Sequence, residues 1–386
     1  MVTQGLVMFC RTRGKLLLAV IVFACQSTPE ISAAQAERWA RPSYGQEKPE
    51  KPIVIAHRGA SGYLPEHTLA AYATAILQGA DFVEPDLVMT KDGQLIARHD
   101  NVLDLTTDVA TRPEFAGRKT TKTVDGVTVT GWFSEDFTLD EIKTLRAIER
   151  IPNTRPANAR FDDQFEIPTF KEIIALVQAY EKLLDRRIGL CPETKHPTYF
   201  DRLGLALEEP LVKILRRSGY EGRNARVFIQ SFEINNLRKL KTMTRIPLVQ
   251  LLGIEGKPYD VDAAGGSLTY QQMAIPSGLA QIASYARGVA PEKSFIIPLG
   301  PSGDLDPSHV TSFVKDAHAV GLHVHPYTFR SENAFLPINF KSSDNPNALG
   351  DGVGEIKVFL KTGIDGFFTD QTDRGIVARD AFLRNQ

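Results

Sequence analysis

Two carboxylates stand two positions apart in the apolar, strand-like run at 82–88. Because alternate residues of a strand point to one face, Glu84 and Asp86 share a face that the flanking apolar side chains mark as buried. Burying two unpaired carboxylates is costly, and a hard divalent cation with oxygen ligands, Mg²⁺ or Ca²⁺, relieves that cost. The pair therefore predicts a metal site rather than a solvent-facing strand edge. Pro85 cannot donate a ladder hydrogen bond, so we expect a bulge or distortion there.

Two histidines end strand-like runs: His57 closes 53–57 and His99 closes 95–99. Histidine titrates near neutrality, and phosphodiester hydrolysis uses two such groups. One proton leaves the nucleophile, and another must reach the departing alkoxide. Arg58 adds a permanent cation whose planar donors match a phosphate. These residues predict an acid/base pair beside a phosphate contact. The alternative is that each histidine is only hydrogen-bonded within the fold.

A third carboxylate, Glu193, ends the run at 188–193, and Lys195 follows two positions later. If both side chains lie on one side of the chain, Glu193 could ligate a metal next to a phosphate that Lys195 contacts. A surface ion pair is the commoner outcome of this spacing. Gln230 ends the run at 226–230 and is a candidate for contact with the substrate.

Other polar residues near strand ends are assigned structural roles. His67 indicates a polar helix entry, and Asp370 and Asp373 most simply cap the last helix. His323 and His325 lie two positions apart on a strand and could ligate a metal. A site with oxygen ligands does not need them, and packing at the core or rim explains them equally well.

The chain alternates short apolar runs with helical patterns after residue 52. Predicted strands lie at 53–57, 82–88, 95–99, 188–193, 226–230, 248–252, 295–299, 323–327 and 366–369, and predicted helices at 68–78, 138–147, 169–184, 199–218, 233–243, 307–320, 351–362 and 372–384. Apolar strands followed by helices predict a parallel sheet with helix crossovers. Over residues 52–386 this pattern fits an α/β fold, a (β/α)₈ TIM barrel, with a doubly wound open sheet as the alternative.

Residues 101–166 break this alternation and predict a small insertion after the early strands. They contain turn signals, a β-like run and only one convincing helix. In barrels of this kind the loops at the carboxyl ends of the strands build the active site. We therefore expect the insertion to form a wall of the site.

The N-terminal segment predicts export. Three basic residues precede an apolar core at 16–25 that is too short to span a bilayer, and Ala34-Gln35-Ala36 is a small-residue cleavage site. We expect a signal peptide at 1–36, a linker at 37–51, and a periplasmic or secreted mature protein without a transmembrane segment. Cys25 ends an imperfect lipobox, and lipid attachment there is the alternative.

Composition excludes several classes of protein. The chain is 42% hydrophobic and 24% charged with a net charge of −1, which is typical of a globular protein and leaves no general basic field for nucleic acid. Cleavage after Ala36 would leave Cys191 as the one cysteine, so no internal disulfide is expected. We predict a small-molecule partner and no nucleic acid.

Several motifs occur along the chain in a fixed order. They are His57-Arg58-Gly59 continuing to Glu66-His67-Thr68, then Glu84-x-Asp86, His99-Asp100, Pro192-Glu193-x-Lys195, His325-Pro326-Tyr327-Thr328-x-Arg330 and Gly366-Phe367-Phe368-Thr369-Asp370. The ordered set resembles the bacterial periplasmic glycerophosphodiester phosphodiesterases from about Pro52 to the C terminus.

The resemblance implies a TIM barrel with a small insertion and one bound divalent cation, with Ca²⁺ expected in preference to Mg²⁺. It implies that Glu84, Asp86 and Glu193 hold this cation. His57 and His99 match the acid/base histidines of the family, without indicating which is the acid.

The resemblance also places Arg58 and Lys195 near the phosphate, and Glu66 where it can orient Arg58. The implied reaction is metal-dependent hydrolysis of a glycerophosphodiester to glycerol 3-phosphate and an alcohol. A phospholipase-like enzyme acting on lipid or lysolipid phosphodiesters is one alternative, for which Trp132 and Phe133 of the insertion could form an apolar rim. A non-catalytic surface-binding barrel is another.

Overall fold

The computed structural model describes residues 51–385, so the signal peptide expected at 1–36 and nearly all of the linker at 37–51 lie outside the described residues. The strands are β1 (Ile53–His57), β2 (Phe82–Glu84), β3 (Asp86–Met89), β4 (Leu95–Ala97), β5 (Thr120–Val124), β6 (Val127–Gly131), β7 (Gly189–Leu190), β8 (Glu193–Thr194), β9 (Ile229–Ser231), β10 (Leu248–Leu252), β11 (Gly288–Pro291), β12 (His323–Val324) and β13 (Gly366–Thr369).

The helices follow the strands in the alternation that the sequence predicts. They are α1 (Leu69–Leu77), α2 (Leu139–Thr144), α3 (Phe170–Leu184), α4 (Pro197–Arg202), α5 (Glu208–Arg217), α6 (Ile234–Met243), α7 (Tyr259–Ala263), α8 (Tyr270–Met273), α9 (Pro276–Ala283), α10 (Phe313–Ala319), α11 (Gly352–Leu360) and α12 (Thr372–Leu383). Within 51–385, none of them has the length and apolar character needed to cross a bilayer.

Parallel pairing joins the strands of the described chain into a closed barrel. β1 pairs with β13 and β2, and parallel pairs continue through β7 and β8 to β12. Two of the eight positions hold two short strands each, β2 with β3 and β7 with β8, interrupted at Pro85 and Pro192. Hydrogen bonds from Asp365 N to Val324 O and from Phe368 N to Pro326 O, both 3.0 Å, close the ring. This is the predicted (β/α)₈ barrel.

The side chains inside the barrel are apolar, whereas those at the carboxyl ends of the strands are polar. Because side chains alternate along a strand, β1 sends Ile53 and Ile55 into the core and His57 to its end. Gly189 faces Phe82, whose ring would lie 2.1 Å from a Cβ at residue 189, so only glycine fits. The apolar interior consists of Ile53, Ile55, Phe82, Cys191, Phe228, Val249, Leu251, Ala290 and Phe368.

Several predicted elements differ from the structure, and three of the differences are large. The run at 95–99 forms only β4, which pairs antiparallel with β3 and is therefore not a barrel strand. The strand predicted at 295–299 is wrong, because the barrel strand is β11 at Gly288–Pro291, a short segment bounded by glycine and proline. The helix predicted at 199–218 is two helices, α4 and α5, separated at Gly204 with φ +73°.

The segment at 101–166 lies outside the barrel ring and contains the β5–β6 hairpin and α2. Trp132 and Phe133 are buried, and Trp132 Nε1 donates to Phe115 O at 2.7 Å. Ser134 Oγ donates to Met89 O at 2.9 Å and fastens the segment to β3. The two aromatic residues therefore pack the insertion, and they do not form the apolar rim that a lipid-binding site would need.

Candidate active site

Three buried carboxylates meet at the carboxyl ends of neighbouring strands. Glu84 is paired in register with His57 of β1, and Asp86 with Glu193 of β8. One oxygen from each of the three acids lies within 4.8 Å of the others. The strand is interrupted at Pro85, as the sequence predicts, and both flanking acids remain buried.

This acidic cluster has the properties of a cation site. Asp86 Oδ1 is buried and has no hydrogen-bond partner among the described residues. Burial, with the neighbouring charges of Asp86 and Glu193, raises the pKa of Glu84 well above its usual range. Burial also raises the pKa of Glu193 to about 7. Because the carboxylates repel one another in the absence of positive charge, the donor set fits a hard divalent cation.

Neighbouring side chains fix the orientation of these acids. Gln230 Nε2 donates to Glu84 Oε1 at 2.8 Å, so the residue predicted to contact substrate is bonded to a candidate metal ligand. His67 Nε2 lies 3.0 Å from Asp86 Oδ2, and its Nδ1 lies 2.7 Å from Tyr72 Oη. His67 is fully buried, which corrects its prediction as a polar helix entry: it orients Asp86 instead.

His57 has a carboxylate on one side and the acidic cluster on the other. Its Nδ1 lies 2.5 Å from Asp370 Oδ1, and its Nε2 lies 3.9 Å from Glu84 Oε2. Burial, followed by the charge of Arg58, lowers the pKa of His57 to about 4. The prediction that Asp370 caps the last helix is wrong, because Gln371 holds the N-cap position of α12 and Asp370 is directed at the histidine.

His99 has the same arrangement. Its Nδ1 lies 2.9 Å from Asp100 Oδ1, and its Nε2 lies 3.4 Å from Lys195 Nζ. Burial, followed by the charge of Arg58, lowers the pKa of His99 to about 3. His57 and His99 line one cavity of about 340 Å³ together with Glu84 and Glu193. Each ring thus has a carboxylate on its Nδ1 and a pKa below the usual value for histidine.

Two arginines of the insertion hold the two carboxylates behind these histidines. Arg150 Nη1 donates to Asp100 Oδ2 at 2.8 Å, and Arg155 Nη2 donates to Asp370 Oδ2 at 2.6 Å. Arg155 Nε also donates to the buried Glu332 at 2.6 Å. The sequence carries no local signal for these arginines, because their partners lie 50 and 215 positions away. The insertion reaches the site through these contacts.

The predicted phosphate contacts lie beside the cluster. Arg58 Nη1 donates to Glu66 Oε2 at 3.1 Å, and Lys195 Nζ donates to Glu193 Oε1 at 2.8 Å. Glu66 also accepts two hydrogen bonds from Arg150, at 2.7 and 3.0 Å. Arg58 has φ +60°, a left-handed conformation that is uncommon outside glycine and turns its backbone N–H toward Glu84 at 3.1 Å. Arg58 and Lys195 thus bring two cations to the edge of the acidic cluster.

His323 and His325 take no part in this arrangement. Both are buried, their rings stack 6.4 Å apart, and His325 packs against Phe228 of the barrel interior. Neither ring lines the catalytic cavity.

The chain is similar to known proteins over most of its length. Residues 57–374 match the model of the glycerophosphoryl diester phosphodiesterase family. The chain belongs to this family. Among curated family members, it is 36% identical to glycerophosphodiester phosphodiesterase GDPD6 of Arabidopsis thaliana, over 92% of this chain and 93% of the relative. It is 33% identical to the glycerophosphodiester phosphodiesterase of Haemophilus influenzae, over 84% and 88%. The predicted family and enzyme class are confirmed.

Solved structures share the fold. A glycerophosphoryl diester phosphodiesterase from Silicibacter pomeroyi superimposes with a TM-score of 0.59 at 20% identity, covering 87% of this chain and 95% of that one. An Oleispira antarctica phosphodiesterase, solved with the product sn-glycerol-3-phosphate, has a TM-score of 0.54 at 20% identity, covering 86% and 97%. The predicted TIM-barrel fold is thereby confirmed.

Proposed function

We propose that the protein hydrolyses glycerophosphodiesters to glycerol 3-phosphate and an alcohol, with His57 and His99 as the acid/base pair. The observation that carries the proposal is that the two histidines line one cavity with Glu84 and Glu193, two of the three clustered acids. The relatives named for this activity and the product bound to the Oleispira antarctica enzyme support the substrate class. A surface-binding barrel has no need of both an acid and a base.

We further propose that Glu84, Asp86 and Glu193 hold one divalent cation, Ca²⁺ in preference to Mg²⁺. Three carboxylate oxygens within 4.8 Å of one another suit a hard divalent cation of either kind, and the preference for Ca²⁺ rests on the family resemblance. When bound, such a cation neutralises charge that develops on the phosphate oxygens. Arg58 and Lys195 supply further positive charge at the same edge.

The protein's own residues provide the proton transfers. One histidine accepts a proton from the nucleophile, which is water or the free hydroxyl of the substrate glycerol. With the hydroxyl as nucleophile a cyclic phosphate forms first, and water then opens it to glycerol 3-phosphate. The other histidine must carry a proton on Nε2 in the reactive complex, where the anionic phosphate favours its charged form, and it donates that proton to the departing alkoxide as the bond between phosphorus and the alcohol oxygen breaks. Asp370 and Asp100 accept from Nδ1 of His57 and His99, which leaves each Nε2 directed at the cavity for this exchange.

The test is an assay of purified protein on glycerophosphocholine, with and without a chelator. Turnover that the chelator abolishes and Ca²⁺ restores would support the proposal. Activity confined to intact or lyso-phospholipids would indicate the phospholipase-like alternative, and binding without turnover would indicate a surface-binding barrel.

The roles of the two histidines are tested separately. His57→Ala and His99→Ala should each lower kcat by about 10² to 10⁴. A nitrophenol leaving group needs little protonation, so it should rescue only the variant that lacks the acid.

We also propose that the mature protein is periplasmic or secreted, on the basis of the N-terminal sequence pattern alone. Its N terminus is expected near Glu37, after cleavage at Ala36. Mass spectrometry of the exported protein tests this. An acylated Cys25 at the N terminus would replace it with the lipoprotein alternative.

A further inference from the structure

A second cavity of about 290 Å³ adjoins the catalytic one and is separate from the proton-transfer residues. Glu193 and Phe232 line both cavities. Lys195 also lines the second cavity, and its Nζ lies 5.7 Å from the centre of the Phe232 ring. A substituent on a phosphate held by Lys195 would therefore lie beside this space.

The second cavity contains one buried acid without a cation. Lys195 pairs with Glu193 at 2.8 Å, Lys257 pairs with Asp262 at 2.7 Å, and His196 contacts Asp125 at 2.6 Å. Glu233 is only 3% exposed, and no basic side chain within residues 51–385 lies within ion-pair distance of it.

The carboxylate of Glu233 accepts hydrogen bonds from the backbone N–H and from the hydroxyl of Thr198. Burial, with the negative charges of Asp260 and Asp125, raises the pKa of Glu233 to about 8. Without a positive partner Glu233 thus favours its neutral form at pH 7, and a cationic ligand would stabilise its ionised form.

Aromatic rings complete the cavity. Phe232 and Tyr270 meet edge to face with their centres 6.1 Å apart. Tyr270 is 7% exposed and lines the cavity, and no described residue forms a hydrogen bond with its hydroxyl. A carboxylate beside aromatic faces is the combination that binds ammonium and quaternary ammonium groups. An uncharged alcohol would leave Glu233 buried without compensation.

We propose that this cavity is the subsite for the leaving alcohol and that it selects alcohols that carry an ammonium group, as choline and ethanolamine do. The proposal rests on the proposed function, because it assigns the alcohol half of the same substrate. Glu233 would pair with the ammonium group, while Phe232 and Tyr270 would contact its methyl or methylene groups.

The experiment compares kcat/KM for glycerophosphocholine and for glycerophosphoglycerol, which share the phosphodiester and differ in the charge of the alcohol. We expect the wild type to favour the choline diester by about tenfold or more, since an ion pair beside aromatic rings is worth that factor. Glu233→Gln retains the acceptor for Thr198 and removes the charge, so the ratio should fall about tenfold. Glu233→Asp should keep part of the preference. Glu209→Gln, which removes an exposed acid on α5, should leave the ratio unchanged.

A second measurement uses only the wild type, so it does not require that a variant folds. Choline should inhibit the wild type more strongly than its uncharged isostere 3,3-dimethylbutanol. Activity on both diesters with a ratio near one, together with equal inhibition by the two alcohols, would overturn the ammonium subsite and leave the proposed function standing. Absence of activity on either diester would overturn the proposed function, and this inference with it.

Discussion

Replacing Asp370 by asparagine should reverse the hydrogen-bonding state of His57. Although burial alone would raise the pKa of Asp370, Arg330 and Arg155 hold it well below its usual range, so the carboxylate accepts from His57 Nδ1. Its other oxygen accepts from Arg155 Nη2 at 2.6 Å and from Arg330 Nε at 2.8 Å. Arginine can only donate, so the carbonyl oxygen of the asparagine must stay on that side.

The amide NH₂ of the variant must then face His57 Nδ1, which becomes an acceptor. The neutral ring carries its proton on Nε2, the atom directed at the cavity, and this atom can no longer accept a proton. An imidazolium is also disfavoured, because it would require Nδ1 to donate. The variant therefore loses activity whether His57 is the base or the acid. The expected loss in kcat is about 10² to 10⁴, the range for one general acid/base group and for the equivalent exchange behind a serine-protease histidine.

The measurement combines steady-state kinetics on glycerophosphocholine with ¹⁵N NMR of the histidine rings. Asp373→Asn is the matched control, because Asp373 accepts from Tyr63 Oη at 2.7 Å and does not contact His57. Its kcat should remain within a few-fold of wild type. If Asp370→Asn places the proton on Nε2 and still turns over within about tenfold of wild type, His57 has no proton-transfer role.

Three further outcomes are expected. Gln230→Leu should weaken Ca²⁺ binding about 10- to 100-fold by calorimetry, because the amide holds Glu84 in place. Arg150→Gln should lower kcat by up to about 100-fold with little change in KM, because Asp100 and His99 lose their fixed position. Glu233→Gln should gain free energy of unfolding relative to wild type between pH 5 and pH 9. The folded-state pKa of Glu233 is raised from 4.5 to about 8. Glu233 therefore contributes its full stability to the wild type below pH 4.5, where it is protonated in both the folded and the unfolded state. The wild type loses this contribution as the pH rises through 8, by about 1.4 kcal/mol for each unit by which the two pKa values differ.

The first two of these outcomes have a matched control variant. Gln178→Leu removes an amide of α3 that donates to Ser218 O at 2.9 Å and does not contact the three acids, so it should not change Ca²⁺ affinity. Arg146→Gln removes an arginine of the same insertion that bonds to backbone carbonyls, and kcat should be retained. A change in KM alone for Gln230→Leu would indicate that this residue contacts substrate. A pH-independent difference for Glu233→Gln would show that its carboxyl is not buried unpaired.

The bounds of several barrel strands, and the polar residues at the strand ends, could be predicted from the sequence. β1, β10 and β13 have the predicted bounds, because each is a continuous apolar run between polar turns. Since parallel strands bring their carboxyl ends to one rim, His57 and Glu193, both predicted at strand ends, line one cavity, whereas Gln230 bonds to Glu84 and does not line it. The alternation of side chains along each strand is sufficient to predict that His57 and Glu193 meet.

Contacts between distant segments could not be predicted in the same way. Asp370 follows a strand and precedes a helix, and in sequence this position cannot be told from a helix cap. Arg150 and Arg155 lie in an irregular segment whose path over the barrel depends on tertiary packing. Glu233 similarly looks like an ordinary helix-start acid, and only the structure shows that its buried carboxylate accepts from Thr198.

Cys191 gives the barrel interior a chemical reporter of its own opening. The thiol is fully buried below the acidic cluster, its Sγ lies 3.4 Å from Gln230 Oε1, and burial raises its pKa well above the usual value. Thiol reagents attack the thiolate, so labelling of this side chain requires transient separation of the strands around it. The labelling rate under native conditions thus measures the opening frequency of the ring. A ligand that bridges β2, β3 and β8 from above should slow it in proportion to its occupancy.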